Sequence, residues 1–140
     1  MRTNMIYELE IEGKIVGKER PRVNLNNGRV YTPNKTKDYE NYIRECFCLT
    51  YPNFKQIEGR VSIEIVAFRA IPKNSSKVMT QKMLDDEISP VVKPDIDNIG
   101  KVVLDALNKF AFKDDNQVCK FAIQKKYSLQ EKIYIKVEEY

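Results

Sequence analysis

Residues 93–118 read KPDIDNIGKVVLDALNKFAFKDDNQV, a helix, a turn and the start of a strand in one run. The spacing predicts a helix over roughly Asn98 to Lys109. Ile96, Ile99, Val103, Ala106, Leu107 and Phe110 recur at helical intervals and are expected to face a core. Asp97, Lys101 and Asp105 stand four residues apart on a different face. Asp97 is placed to cap the helix start. Asp95 follows Pro94 and is expected in extended chain just ahead of the helix. Phe112 to Asn116 then read as a turn, with Asp114 and Asp115 in good turn chemistry.

Working outward, the flanking segments supply a sheet. Ile6 to Val16 alternate apolar and polar residues as a half-buried strand does, with a turn at Glu12-Gly13. The same alternation runs through the first residues, MRTNMIYELEIEG, which lack the apolar core of a signal peptide. Pro21 and Asn-Asn-Gly mark an arginine-rich loop or short hairpin. A helix is expected from Thr36 to Leu49, with Tyr39, Tyr42, Ile43, Cys46 and Phe47 buried and Lys37, Glu40, Arg44 and Glu45 off that face. VSIEIVAFRA, residues 61–70, is the clearest strand. A short helix fits Ser76 to Leu84. Gln117 to Tyr127 and Lys132 to Glu138 read as two last strands forming a hairpin. The 140 residues contain no repeat or linker. The expectation is a single compact α+β domain over 1–140, with a mixed β-sheet and two main helices packed on it.

Composition narrows the chemistry. There is no histidine, which removes His bases, Ser-His-Asp and Cys-His arrangements and His-ligated metals. Cys46, Cys48 and Cys119 form no CxxC pair and are an odd number, so reduced thiols are expected in a cytoplasmic protein. No apolar run approaches a membrane span. The net charge of +4 is unevenly spread. Lys14 to Arg44 hold eight basic and three acidic residues, a net +5, and Asp85 to Asp115 hold four basic and eight acidic, a net −4. The first segment suits a polyanion and the second a cation; solvated surface charge is the plainer account of each.

The acids therefore admit two readings. In one, Asp95 and Asp97 favour the positive end of a helix and Asp114-Asp115 shape a turn. In the other, the turn and strand return the chain to the helix flank, so that Asp114 or Asp115 faces Asp95 and Asp97. Three carboxylates with Lys101 nearby suit phosphodiester cleavage with a hard ion, Mg²⁺ or Mn²⁺.

The ordered set Lys93, Pro94, Asp95, Asp97, Asn98, Lys101, Asp105, Ala106, Leu107, Asp114, Asp115, Gln117 and Val118 resembles the RusA family of Holliday junction resolvases, small and often prophage-encoded. The resemblance implies an α+β homodimer that cuts four-way junction DNA with Mg²⁺, in recombination and repair. It makes Asp95, Asp97 and Asp115 the metal-site aspartates, with Asp114 beside them, and Lys101 the essential lysine. Asp105 matches the motif and is expected to pair with Lys101. Outside 93–118 the likeness is diffuse.

Arg20, Arg22, Lys35, Lys37, Lys73, Lys77 and Lys82 are the candidate phosphate contacts, and Tyr31 a candidate stacking residue. The rival readings are a nuclease for other branched DNA, a non-catalytic junction-binding protein and, more weakly, an enzyme acting on small phosphoesters. The last lacks a phosphate-cradling glycine loop.

Overall fold

The computed structural model describes residues 4–140; the reading of residues 1–3 as part of the alternating run lies outside the described residues. Strand β1 (Ile6–Glu12) is followed by a small hairpin of β2 (Arg22–Val23) and β3 (Val30–Tyr31). Helix α1 (Asn34–Thr50), strand β4 (Val61–Ala70), and helices α2 (Lys77–Leu84) and α3 (Ile96–Leu107) come next. Strands β5 (Val118–Ser128) and β6 (Lys132–Glu139) close the chain. The main sheet has the order β1-β6-β4-β5, with β4 and β5 parallel and the other neighbours antiparallel. This is the expected single α+β domain with a mixed sheet, extended by a short third helix where Ser76 caps α2 through the Met79 amide.

The last two strands do not pair with each other. The hairpin expected between them is opened by β4, which lies between β5 and β6. Their short connection crosses the end of β4, where the Ile71 amide donates to the Ser128 carbonyl. The burial pattern explains the choice. Ile63, Ile65, Val66 and Ala67 are all buried, and a strand so apolar is best covered by neighbours on both edges. Register then lines up Leu9, Ile135, Ile65 and Ile123 across the four strands on one face. The other face carries Glu8, Lys136 and Glu64 in a row of alternating charge.

Helices α1 and α3 cover the apolar face. On α1 the buried residues are Thr36, Tyr39, Glu40, Ile43 and Phe47. Two expectations are corrected there. Tyr42 is exposed and its hydroxyl donates to the Glu12 carbonyl, while Glu40 is buried. A lysine partner from another segment makes Glu40's burial possible, as described below. On α3, Ile99, Val103, Ala106 and Leu107 are buried as expected, and Phe110 packs against the core just past the helix, but Ile96 is half exposed. Gly100 brings the helix close to β5: a Cβ there would stand 2.8 Å from Ile123 Cδ1. Among the described residues, no helix is long and apolar enough to cross a membrane.

Candidate active site

Between β1 and β2 the chain runs without regular structure over residues 13–21, and it lies across the start of α3. Its attachments are specific. The Gly13 amide donates to the Glu131 carbonyl (3.0 Å) and the Ile15 amide to Glu131 Oε2 (2.7 Å). Arg69 Nη1 meets the same Glu131 oxygen at 2.8 Å. Further along, the Lys18 amide donates to the Asn98 carbonyl at 2.9 Å, and the Glu19 amide to Thr36 Oγ1 at 3.3 Å. Lys18 Nζ lies 2.7 Å from Glu40 Oε1 and 2.9 Å from Asp105 Oδ2. Burial works against the Lys18 charge, but the hydrogen bonds to Glu40 and Asp105 outweigh it and its pKa is raised.

This segment and the start of α3 enclose a cleft of about 730 Å³. Seven basic residues line it: Lys14, Lys18, Arg20, Lys35, Arg69, Lys93 and Lys101. The acids in its lining are Glu19, Asp95 and Asp97. Asp95, not Asp97, occupies the N-cap position of α3, and it caps without its side chain: the Ile99 amide is bonded to the Asp95 carbonyl at 3.0 Å. Asp97 sits in the first turn. Among the described residues, neither carboxylate has a hydrogen-bond or ion-pair partner. Two anions one residue apart are thus left open to the cleft, near the positive end of a helix and under a basic rim.

The other acids are placed differently. Asp105 pairs with Lys18 and not with Lys101, which corrects the expected partner. Asp114 is committed to the turn: its side chain accepts from the Asn116 amide at 2.9 Å. Gln117 completes that turn, accepting from the Lys113 and Asp114 amides and donating to the Ile57 and Gly59 carbonyls. The Asp115 amide is held by Asn108 Oδ1 at 3.0 Å, so Asp115 stands beyond the C-terminal end of α3. The Asn116 amide and a hydrogen bond with Asp115 lower the Asp114 pKa. That hydrogen bond and the negative charges of Asp114 and Asp105 raise the Asp115 pKa. Asp95 and Asp97 are at the opposite end of a twelve-residue helix, about 18 Å long at 1.5 Å per residue. Accordingly, no group of three or more acidic or cysteine side chains among the described residues is close enough to hold a metal ion. Within one chain, the turn does not bring Asp114 or Asp115 to the paired aspartates.

The family model for endodeoxyribonuclease RusA matches residues 12–138. The chain belongs to the RusA family. It is also 33% identical over 133 residues to an uncharacterized protein of Bacillus subtilis (strain 168), YqaN, covering 92% of this chain and 93% of that one. The RusA match takes in both the cleft and the Asp114-Asp115 turn.

Of the candidate DNA contacts in this RusA chain, Arg20 and Lys35 line the cleft. Arg22 is exposed on β2 and paired with Glu19 at 3.2 Å. Lys37 is exposed on α1, and Lys73 and Lys77 lie before and at the start of α2, outside the cleft lining. Tyr31 is partly exposed on β3. Sequence reasoning missed Lys14, Arg69, Gly17 and the role of Lys18. Basic clustering pointed at the segment but not at which side chains turn inward. The donor set suits Mg²⁺ in kind, being oxygen only. Mg²⁺ is commonly held by one or two carboxylates completed by water and substrate phosphate. Asp95 and Asp97 offer such a pair.

Proposed function

We propose that this protein is a Mg²⁺-dependent endodeoxyribonuclease that resolves four-way (Holliday) DNA junctions by paired, symmetric phosphodiester cleavage, with Mn²⁺ able to substitute. The observation that carries this is the pair of unpartnered carboxylates, Asp95 and Asp97, inside a cleft whose lining holds seven lysines and arginines against one further acid, Glu19. The basic rim attracts a phosphate backbone and positions it. Asp95 and Asp97 would hold the metal, and bound there it supplies Lewis-acid polarisation of the phosphate and a more acidic water. Lys101, one turn into α3 and lining the same cleft, offers an ammonium to the charge that grows on the phosphate oxygens.

A homodimer completes the reading. Two matched cuts on a near two-fold substrate call for two sites related by a two-fold axis. The separation of Asp115 from Asp95 and Asp97 along α3 adds a second reason: a site using all three aspartates needs Asp115 of the partner subunit. Such an enzyme would act in the cytoplasm on recombining or repaired DNA, as a prophage-type member of its family.

The test is cleavage of an end-labelled immobile junction and of a matched linear duplex, with Mg²⁺ and with EDTA, by the native protein and by Asp97→Asn. Paired nicks on the junction alone, abolished by EDTA and by the substitution, are expected. Cuts on flaps or forks equal to those on the junction would favour a broader branched-DNA nuclease. Tight junction binding without cutting in either metal would leave a binding protein.

A further inference from the structure

We propose that Lys18 is a positioning residue: its ammonium, bridged between Glu40 on α1 and Asp105 in the last turn of α3, together with its amide bonded at the helix start, holds the 13–20 segment on α3 and so sets the width of the cleft. The inference rests on the nuclease reading only where activity is measured. Four contacts carry it. Lys18 joins three elements, its own segment, α1 through Glu40 and α3 through Asp105. Its amide is tied to Asn98, immediately after Asp97. Gly17 packs directly on Pro94 and Asn98, where a Cβ would stand 2.7 Å and 3.2 Å from their β-carbons. Arg20, two residues beyond Lys18, lines the cleft with Asp95 and Asp97.

The other end of the segment has an independent anchor, Glu131, bonded to the Ile15 amide and to Arg69. Freeing Lys18 therefore loosens one end and not the other. With both carboxylates engaging it, the Lys18 ammonium is poorly placed to serve as a phosphate contact, although it lines the cleft. Glu40 is buried on α1 and cannot follow the segment outward. The bridge thus fixes a distance between a rigid helix pair and a segment with no regular structure of its own. A misplacement of about 1 Å transmitted from such a support can cost on the order of 100-fold in activity.

The experiment compares native protein with Lys18→Met, Lys18→Arg and Asp105→Asn in amide hydrogen exchange, junction binding against salt, and single-turnover cleavage. Lys18→Met is expected to speed exchange at the amides of residues 18 and 19 while residue 15 and strand β4 stay protected. Its cleavage rate should fall about 100-fold with an unchanged salt slope of binding. Lys18→Arg, which can still span two carboxylates, should restore most of the rate. If Lys18→Met fails to fold, Asp105→Asn carries the test, since it leaves the Lys18–Glu40 pair in place, and it should give a smaller shift in the same direction. A salt slope lowered by about one with unchanged exchange would overturn the proposal and make Lys18 a direct phosphate contact. Unchanged exchange and unchanged rate would also overturn it. Should the native protein cut nothing, the nuclease reading fails while the exchange pattern still decides whether Lys18 holds the segment.

Discussion

Gly17 lies so close to Pro94 that a β-carbon at residue 17 would stand 2.7 Å from the Pro94 Cβ. Both atoms belong to stiff parts of the chain, so the contact cannot be relieved by a side-chain rotation. Gly17→Ala should therefore push the 13–20 segment off the start of α3 and cost cleavage and stability together, the latter by about 1–3 kcal/mol. Gly100→Ala meets only the far ends of Ile123 and Phe121 and should be milder. Thermal unfolding and cleavage rates of the two variants check the order.

Glu40 gives a second prediction. It is buried, and its partner Lys18 is itself largely covered. Removing the carboxylate strands the ammonium with the half-exposed Asp105 alone. Glu40→Ala should lose about 1.5–3 kcal/mol in denaturant unfolding at neutral pH. The pH window follows from the direction of the Lys18 shift. Its folded pKa is raised above 10.5, so this contribution is full below 10.5 and fades as pH rises through the raised value. The difference between native and Glu40→Ala should thus be flat from pH 7 to 9 and shrink above 10.5; a difference that shrank already between pH 7 and 9 would rule out Lys18 as the titrating partner.

Those two predictions also mark the boundary of what the sequence made legible. Helices α1 and α3, the short α2, the main strands and a turn within Phe112 to Asn116 could be read from local period and turn residues, but the cap of α3 could not, since Asp95 stands where Asp97 was expected. The helix-start aspartates and their lysine were legible as a motif. What could not be read was non-local. Strand pairing depends on which apolar surfaces meet, so the insertion of β4 between β5 and β6 has no local signature. Glu40 looked like a surface residue because its partner is 22 positions away in a loop. Asp105 seemed to belong with Lys101 because they share a helix face, yet a lysine from outside the helix takes it. Of the two readings of the acids, the one in which a short turn returns Asp114 or Asp115 to Asp95 and Asp97 is not met within one chain, because the length of α3 separates them.

DNA contacts should separate by place. Arg20 and Lys35 line the cleft, so Arg20→Ala and Lys35→Ala should each lower the slope of log K against log salt by about one and also slow cleavage. Lys37, Lys73 and Lys77 stand outside the lining and would meet only the junction arms. Their alanine variants should weaken binding at moderate salt and leave the single-turnover rate at saturating enzyme unchanged. Binding titrations at several salt concentrations, paired with single-turnover cleavage, decide between these patterns.

The distance along α3 supports a last prediction, by complementation. Asp97→Asn and Asp115→Asn should each abolish cleavage as homodimers. If each site takes Asp95 and Asp97 from one subunit and Asp115 from the partner subunit, a mixed dimer of the two variants contains one doubly altered site and one intact site. Mixing the two inactive proteins under conditions of subunit exchange should then restore nicking of one junction strand, without the paired second cut. If each site is built within one chain, every site in the mixture carries a substitution and no nicking returns. Gel analysis of nicked against fully resolved junctions distinguishes the two, and the single-strand product is the outcome expected from Asp115 standing at the far end of the helix from Asp95 and Asp97.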